Sequence, residues 1–192
     1  CRWGASSILT STEPIHPESR INRQRTDAMN DISPAGQGNL SGRTSRLVIC
    51  LGDSITRGQV SADYVARLRN RGRSTATKLV NEGVNGDLAF NIHSRLDKVI
   101  AQDPDVVTVL VGTNDVNAHY DESWTARYRK DQHLPVEPTR QWYAEQLDAI
   151  LTRLHAQTRA RLAVLEIPPL GEDLTSRMNH LVNEYNDTLR TV

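Results

Sequence analysis

From residue 46 onwards, the sequence predicts an α/β domain of three layers built around a parallel sheet. Short apolar runs, such as residues 47–51, are typical of strands that are buried on both faces of such a sheet. Between these runs, apolar residues recur at the spacing of three and four residues that marks one face of a helix. Strands that alternate with helices in this way indicate βαβ units with right-handed crossovers.

The predicted elements follow one another in a regular order. The strands are expected at residues 47–51, 79–80, 106–111 and 162–167. Ser61 is expected to cap a helix that ends at Gly72, and Thr139 is expected to begin a later helix. Helical spacing of apolar residues marks the stretches 88–100, 143–154 and 178–189.

The first 45 residues differ from the rest of the chain. Only 12 of them are apolar, and 23 are Ser, Thr, Pro, Gly, Asn or Gln. Such a segment cannot bury enough surface to offset its ordering entropy, so residues 1–45 are predicted to be a disordered tail and residues 46–192 the folded domain. The tail is either a linker from a longer protein or translated sequence upstream of a start at Met29.

Composition excludes several classes of function. The chain has 23 basic and 23 acidic residues, and this zero net charge argues against binding to nucleic acid. The mean hydropathy is −0.52, and no apolar run approaches the ~18 residues of a membrane span. The N-terminal segment lacks the apolar stretch of a signal peptide, so a cytoplasmic location is the default expectation.

The sequence contains few cysteines. The two cysteines, Cys1 and Cys50, form no CxxC motif, so neither a disulfide scaffold nor a cysteine-based zinc site is expected. The predicted chemistry below requires no metal and no organic cofactor.

Ligands of parallel α/β sheets bind at the carboxyl ends of the strands, so the residues that follow each strand are the candidate site. These four loops are expected to open onto one rim. They are GDSITRG at 52–58, NEGVNGD at 81–87, GTND at 112–115 and PPLG at 168–171.

Three residues of these loops suggest acyl transfer when they are taken together. Taken singly, Ser54 is more often a helix cap, Gly86 a turn glycine and Asn114 a turn or capping residue. In combination they offer a nucleophilic hydroxyl and three donors, namely the N–H groups of Ser54 and Gly86 and the Asn114 side-chain amide. A nucleophile and an oxyanion hole are what acyl transfer needs.

These motifs closely resemble those of the SGNH/GDSL hydrolase family. The resemblance lies in GDSI at 52–55, in residues 81–86, and in GTND at 112–115, with the PPLG loop also similar. It runs from about residue 46 to the end of the chain. It implies a flavodoxin-like parallel sheet of order 2-1-3-4-5 and ester hydrolysis through an acyl-enzyme. A typical α/β-hydrolase is disfavoured, because no G-x-S-x-G elbow occurs.

The resemblance also implies roles for the neighbouring residues. Asp53, Thr113 and Asp115 belong to the matching blocks and are predicted to contribute to substrate binding at the rim. Asp53 is in addition interpreted as bracing the nucleophile loop rather than as the acid of a catalytic triad.

The family's fourth block, Asp-x-x-His, is absent from the sequence. None of the six histidines has an aspartate three residues before it. In the family this histidine takes the serine proton and the aspartate orients it. We therefore expect the chain to be cut before its base, last strand and closing helix, and to be inactive or weakly active alone. The predicted strand 162–167 would then lie at an open edge, which favours association.

The long segment 116–138 is expected to lack regular structure. Loops of this length are usually functional or mobile, so the segment is either a lid or substrate wall or a plain surface insertion. It contains His119 and His133, which are the candidates for a substitute base.

Three functions remain open at this stage. The favoured one is a serine ester hydrolase acting on a small-molecule acyl or acetyl ester, carried on a carbohydrate or a lipid. The family includes lysophospholipases, thioesterases and carbohydrate O-acetylesterases, and the polar and aromatic rim favours a small acyl group on a polar carrier. The alternatives are a non-catalytic carbohydrate- or acyl-binding domain of the same fold and, less favoured, a flavodoxin-like nucleotide binder. The oligomeric state is not predicted.

Overall fold

The computed structural model describes residues 45–72 and 76–192. The predicted tail therefore lies outside the described residues, apart from Ser45. The strands are β1 (Arg46–Gly52), β2 (Thr77–Gly83), β3 (Val106–Leu110) and β4 (Arg161–Val164). The helices are α1 (Ser54–Arg57), α2 (Tyr64–Arg71), α3 (Ala89–Ser94), α4 (Leu96–Ile100), α5 (Thr113–Tyr120), α6 (Glu122–Asp131), α7 (Arg140–Gln157) and α8 (Arg177–Thr191).

The four described strands form one parallel sheet in the order β2-β1-β3-β4. The last residue of β1, Gly52, pairs with Gly83 on one side and with Leu110 on the other. The carboxyl ends of the three neighbouring strands are therefore level, and the loops that follow them meet at one rim. The predicted α/β class with a parallel sheet is confirmed.

Helices cover both faces of the sheet. On one face, Ile49, Leu51, Val107 and Val109 pack into the main core, to which α7 contributes fully buried side chains. The α7 side chains are Tyr143, Leu147, Ile150 and Leu154. The alternate residue Cys50 faces the other side and is 1% exposed. Successive residues of β1 thus point to opposite faces of the sheet, and both faces are buried. This is why β1 has a continuous apolar run.

Two helix predictions need correction. The cap of α2 is Asp63 rather than Ser61, because the Asp63 carboxylate accepts the Ala66 N–H at 2.8 Å. The Ser61 hydroxyl instead donates to the carbonyl of Ile55. The predicted helix over residues 88–100 is two short helices, α3 and α4, because the backbone leaves the helical region at Arg95.

The segment 116–138 is largely helical, so the prediction that it lacks regular structure is wrong. It holds most of α5 and all of α6. The N-cap of α6 is Asp121, whose carboxylate accepts the Ser123 N–H at 2.8 Å. Tyr128 is the one α6 side chain that is buried. A helix that buries only one side chain has no apolar stripe. The sequence of α6 therefore lacks the helical spacing of apolar residues that would have predicted it.

The strand β4 is shorter than predicted and lies at one edge of the described sheet. After Leu165, whose N–H still bonds to the carbonyl of Val109, the chain leaves the sheet. Ile167 instead forms two hydrogen bonds with the Asn186 side chain of α8. The Asn186 side-chain amide thus satisfies the backbone N–H and C=O of Ile167, which a neighbouring strand would otherwise have to pair.

Candidate active site

Ser54 lies where β1 turns into α1. A β-carbon at Gly52 would overlap the Leu110 carbonyl oxygen, so only glycine allows this close approach of β1 to β3. Asp53 caps α1, and its carboxylate accepts the Ile55 N–H at 2.9 Å. Ser54 is the first residue of α1, so its N–H has no partner within the helix. Ser54 is half-buried and lies at the rim, directly after the carboxyl end of β1.

Gly86 lies in the turn that follows β2. The turn is closed by a hydrogen bond of 3.3 Å from the Asp87 N–H to the Val84 carbonyl. Gly86 has φ +82°, a conformation that favours glycine. The Val84 N–H donates to the Gly52 carbonyl at 3.1 Å, which holds this turn against the Ser54 loop.

The Asn114 side chain is buried and held at both ends. Its Oδ1 accepts a hydrogen bond of 2.6 Å from the Tyr128 hydroxyl, and its Nδ2 donates to the Asp87 carbonyl at 2.8 Å. An amide nitrogen carries two hydrogens, so one N–H of Asn114 remains available. Because Asp87 is adjacent to Gly86, this hydrogen bond places the Asn114 amide next to the glycine turn.

Asp115 makes a second connection between the same two loops. Its carboxylate, 1% exposed, accepts the Ala89 N–H at the start of α3, with 3.2 Å to the nearer oxygen. Burial raises the pKa of Asp115 to about 7, against the lowering effect of this hydrogen bond. Together with the Asn114–Asp87 bond, this contact fixes the start of α5 against the start of α3.

Arg95 connects the first two loops, and sequence reasoning missed it. Its Nε donates to the Asp87 carboxylate at 2.7 Å, and its Nη2 donates to the carbonyls of Gly52 and Glu82 at 3.1 and 2.9 Å. Burial raises the pKa of Asp87, and the Arg95 guanidinium opposes that rise. The only sequence signal was an arginine in the middle of an apolar helical stretch, just where the helix is interrupted.

Asp53 is fully buried below the nucleophile. Its Oδ1 caps α1, whereas its Oδ2 has no hydrogen-bond partner. Burial raises the pKa of Asp53 to about 6, and the negative charge of Asp87 adds to this effect. The described contact of Asp53 is thus to the backbone of its own loop, as a brace would make.

The structure brings the predicted site residues to one rim. Ser54, Gly86 and Asn114 are joined through the Val84–Gly52 and Asn114–Asp87 hydrogen bonds, and Thr113 is half-buried at the start of α5. The carboxylates of Asp53 and Asp115 are buried and bond to backbone N–H groups. That these two residues and Thr113 bind substrate stays a prediction.

Neither candidate for a substitute base is bonded to the nucleophile. The His119 ring nitrogen lies 3.1 Å from the Tyr185 hydroxyl, and His133 Nδ1 lies 3.0 Å from the Lys130 carbonyl. Over residues 45–72 and 76–192, no histidine ring lies within hydrogen-bond distance of the Ser54 hydroxyl.

Metal-binding clusters and membrane-spanning helices are absent from the described part of the chain. Within it, no three His, Cys, Asp or Glu side chains are grouped so as to hold a metal ion. No helix there has both the length and the apolar character needed to span a membrane.

A parallel sheet of order 2-1-3-4 with its loops gathered at one rim defines an α/β protein whose candidate site lies at the carboxyl ends of the strands. The chain belongs to the GDSL-like lipase/acylhydrolase family, because the sequence model of that family matches residues 50–192. The resemblance found in the sequence is thereby confirmed. A comparison with curated proteins gives no match.

Solved structures with the same fold include carbohydrate esterases. Axe2, an acetylxylan esterase from Geobacillus stearothermophilus, is 18% identical, with a TM-score of 0.60 over 78% of this chain and 73% of that chain. The acetyl xylan esterase AlAXEase is 23% identical, with a TM-score of 0.59 over 76% and 71%. LAE5, an α/β hydrolase from the metagenome of Lake Arreo in Spain, is 23% identical, with a TM-score of 0.58 over 77% and 71%.

Proposed function

We propose that this chain carries the nucleophile and the oxyanion hole of a serine carboxylic ester hydrolase. The observation that carries the proposal is the fixed amide of Asn114. Its oxygen accepts from the Tyr128 hydroxyl and one of its N–H groups donates to the Asp87 carbonyl, so its other N–H is left to donate to a ligand. Donors that are held in place before charge develops are the main requirement of an oxyanion hole.

In the proposed reaction, the Ser54 oxygen attacks the ester carbonyl carbon while the hydroxyl proton passes to a histidine base. The carbonyl oxygen becomes an oxyanion, which accepts hydrogen bonds from the N–H groups of Ser54 and Gly86 and from the Asn114 amide. The C–O bond to the alcohol then breaks, the alcohol takes the proton from the histidine, and acyl-Ser54 remains. Water attacks the acyl-enzyme with the histidine again as base, and the acid is released.

The proposed base is the histidine of an Asp-x-x-His segment, which these 192 residues do not contain. Solved forms of Axe2 described as catalytic mutants replace a serine, an aspartate or a histidine by alanine. Without its base, such a site retains only the part of the rate that binding and the oxyanion hole supply. The 192-residue chain alone is therefore proposed to turn esters over slowly or not at all.

The proposed substrate is an acetyl or other short acyl ester on a polar carrier such as a carbohydrate. Two of the structural relatives are described as acetylxylan esterases. A β-carbon at Gly86 would lie 2.7 Å from Gln132 Nε2, so the Gln132 side chain narrows the rim beside the oxyanion position. Trp124 is 40% exposed, and its ring stacks on Tyr128 and lies 5.2 Å from the Arg127 guanidinium, so the surface next to Tyr128 is both aromatic and polar.

The proposal is tested by labelling Ser54 with a p-nitrophenyl alkylphosphonate, with imidazole added in place of the missing base. We expect intact-mass spectrometry to show one label per chain, on Ser54, at a rate that rises with imidazole concentration. The phosphonate mimics the tetrahedral state, so Asn114→Ala should slow labelling by about a hundredfold.

Two variants serve as controls for this experiment. Ser54→Ala should take up no label, and Asn183→Ala, an exposed asparagine of α8, should be labelled like the parent chain. Labelling that is unaffected by Asn114→Ala would refute the assigned oxyanion hole. Absence of any Ser54 label at saturating imidazole would refute the nucleophile.

The second candidate is a non-catalytic domain that uses the same rim to bind a carbohydrate or an acyl group. It is favoured by one observation, namely that no described histidine contacts Ser54. Calorimetric titration with acetylated xylo-oligosaccharides separates the two functions. Binding that is unchanged in Ser54→Ala, together with no phosphonate label in the parent chain, would support this alternative.

A further inference from the structure

The α6 helix contributes one buried polar contact to the site, through Tyr128. The Tyr128 hydroxyl donates to Asn114 Oδ1 at 2.6 Å, and both side chains are buried. The Tyr128 ring packs in a small apolar cluster with Leu88, Ala118 and Leu134, apart from the main core. None of the sequence motifs includes Tyr128, and the reaction proposed above assigns it no role.

The partners of the Asn114 amide determine which way the amide points. A hydroxyl that donates to Oδ1 and a carbonyl that accepts from Nδ2 suit one orientation of the amide. With the amide turned over, Oδ1 would face the Asp87 carbonyl, and two acceptors would be buried against each other. The Asp87 carbonyl, which can only accept, therefore selects this orientation. The Tyr128 hydroxyl, which can donate or accept, holds it from the opposite end of the side chain as the donor to Oδ1.

The Tyr128 hydroxyl also makes the second Asn114 N–H group a stronger hydrogen-bond donor. A hydrogen bond to an amide oxygen polarises the amide and makes its N–H groups better donors. The effect is larger in a buried site than in water, and Tyr128 is 7% and Asn114 5% exposed. Its benefit is greatest when negative charge has developed on the acceptor, that is, in the transition state.

The α6 helix holds Tyr128 in place. Asp121 caps the start of the helix, and Trp124 stacks on the Tyr128 ring with 5.7 Å between the ring centroids. At the end of the helix, the Gln132 carbonyl accepts a hydrogen bond from the Asn91 side chain of α3. The segment between α5 and α7 is thus anchored to the elements that form the oxyanion hole.

We propose that Tyr128 is a positioning residue for ester hydrolysis, which orients and polarises the Asn114 amide so that its N–H group is directed at the oxyanion. This inference rests on the proposed function, because it takes Asn114 as an oxyanion donor. It adds to that function a residue from outside the family motifs.

The experiment is a double-mutant cycle on the rate of phosphonate labelling at Ser54, with imidazole as the added base. Tyr128→Phe keeps the ring and removes the hydroxyl. We expect it to slow labelling about tenfold in the parent chain, which corresponds to one buried hydrogen bond. In the Asn114→Ala background the same change should have no further effect, because the amide that it orients is gone. Tyr120→Phe, half-buried on α5 with its ring against Arg177, is the matched control and should leave the rate unchanged.

A second measurement separates positioning from general stability. In ¹⁵N-labelled protein, Tyr128→Phe should shift the side-chain amide resonances of Asn114, while thermal unfolding stays cooperative. Equal slowing by Tyr128→Phe in the parent and in the Asn114→Ala background would overturn the inference, and so would unchanged labelling together with unchanged Asn114 resonances. If the parent shows no Ser54 label, or if Asn114→Ala does not slow it, the proposed function itself has failed, and the inference with it.

Discussion

Asp115 carries a buried carboxylate that accepts a hydrogen bond from the Ala89 N–H. Its pKa is raised to about 7 by burial, so the folded chain holds this proton more tightly than the unfolded chain does. The resulting stabilisation is complete below the unfolded pKa of about 4 and is lost as the pH rises through about 7. Asp53, with a pKa raised to about 6, acts in the same direction.

Asp115→Asn should therefore make stability less dependent on pH. The amide keeps an oxygen to accept the Ala89 N–H but cannot ionise. Between pH 4.5 and pH 8, we expect the parent to lose on the order of 3 kcal/mol more of its free energy of unfolding than the variant does. Urea unfolding at several pH values measures this difference. Asp148→Asn, on an exposed position of α7, is the control, and parallel curves for Asp115→Asn and the parent would contradict the prediction.

At the scale of single residues, the sequence predicts candidates by their type, because acyl transfer needs a nucleophile and hydrogen-bond donors. Ser54, Gly86 and Asn114 follow three strand ends, and the structure ties their loops together. Arg95 and Tyr128 were not found, because each acts through contacts with distant parts of the chain. The Tyr128–Asn114 bond spans 14 residues and the Arg95–Gly52 bond spans 43, and no local pattern records such contacts.

At the scale of elements, α6 depends on a small cluster of its own. Leu134, just after the helix, packs with Leu88, Ala118 and Tyr128. Leu134→Ala should lower the free energy of unfolding by about 2–4 kcal/mol, the usual result of emptying a buried leucine site. It should also speed amide hydrogen exchange in α6 more than in β1. Val136→Ala, 45% exposed in the same loop, is the control, and urea unfolding that gives equal losses for the two variants would count against the cluster.

The strands and the long helices were predictable because their apolar residues face one core. The stripe of α7 and the continuous run of β1 both pack into it, and Thr139 caps α7 as expected. The bounds of α2 and the break at Arg95 were not predictable. Asp63 and Ser61 are equally good helix caps by residue type. Asp63 is the cap of α2 because the turn after α1 brings its carboxylate, and not the Ser61 hydroxyl, to the Ala66 N–H.

At the scale of the whole molecule, the edge of the sheet bears on whether the chain associates. β4 is an edge strand of the described sheet, and Ala163 in its middle is exposed. An exposed edge offers unpaired N–H and C=O groups to another chain. We expect the 192-residue chain to associate as its concentration rises, in sedimentation velocity measurements.

A charge on this edge should reduce association, because a lysine there blocks the approach of another strand. Ala163→Lys should shift the sedimentation profile towards the monomer. Ala126→Lys, on an exposed position of α6, should leave it unchanged. A parent chain that stays monomeric at high concentration would show that this edge is not a site of association.

The sequence by itself determined the α/β class, the alternation of strands and helices, and the three motifs at the strand ends. These features depend on local periodicity and on residue type, which a linear pattern records. The tertiary structure alone decided how the site is held: which way the Asn114 amide points, that Arg95 joins the first two loops, and that α6 supplies Tyr128. The physical reason is that hydrogen bonds between distant residues, and the burial that strengthens them, exist only once the sheet has brought its loops to one rim.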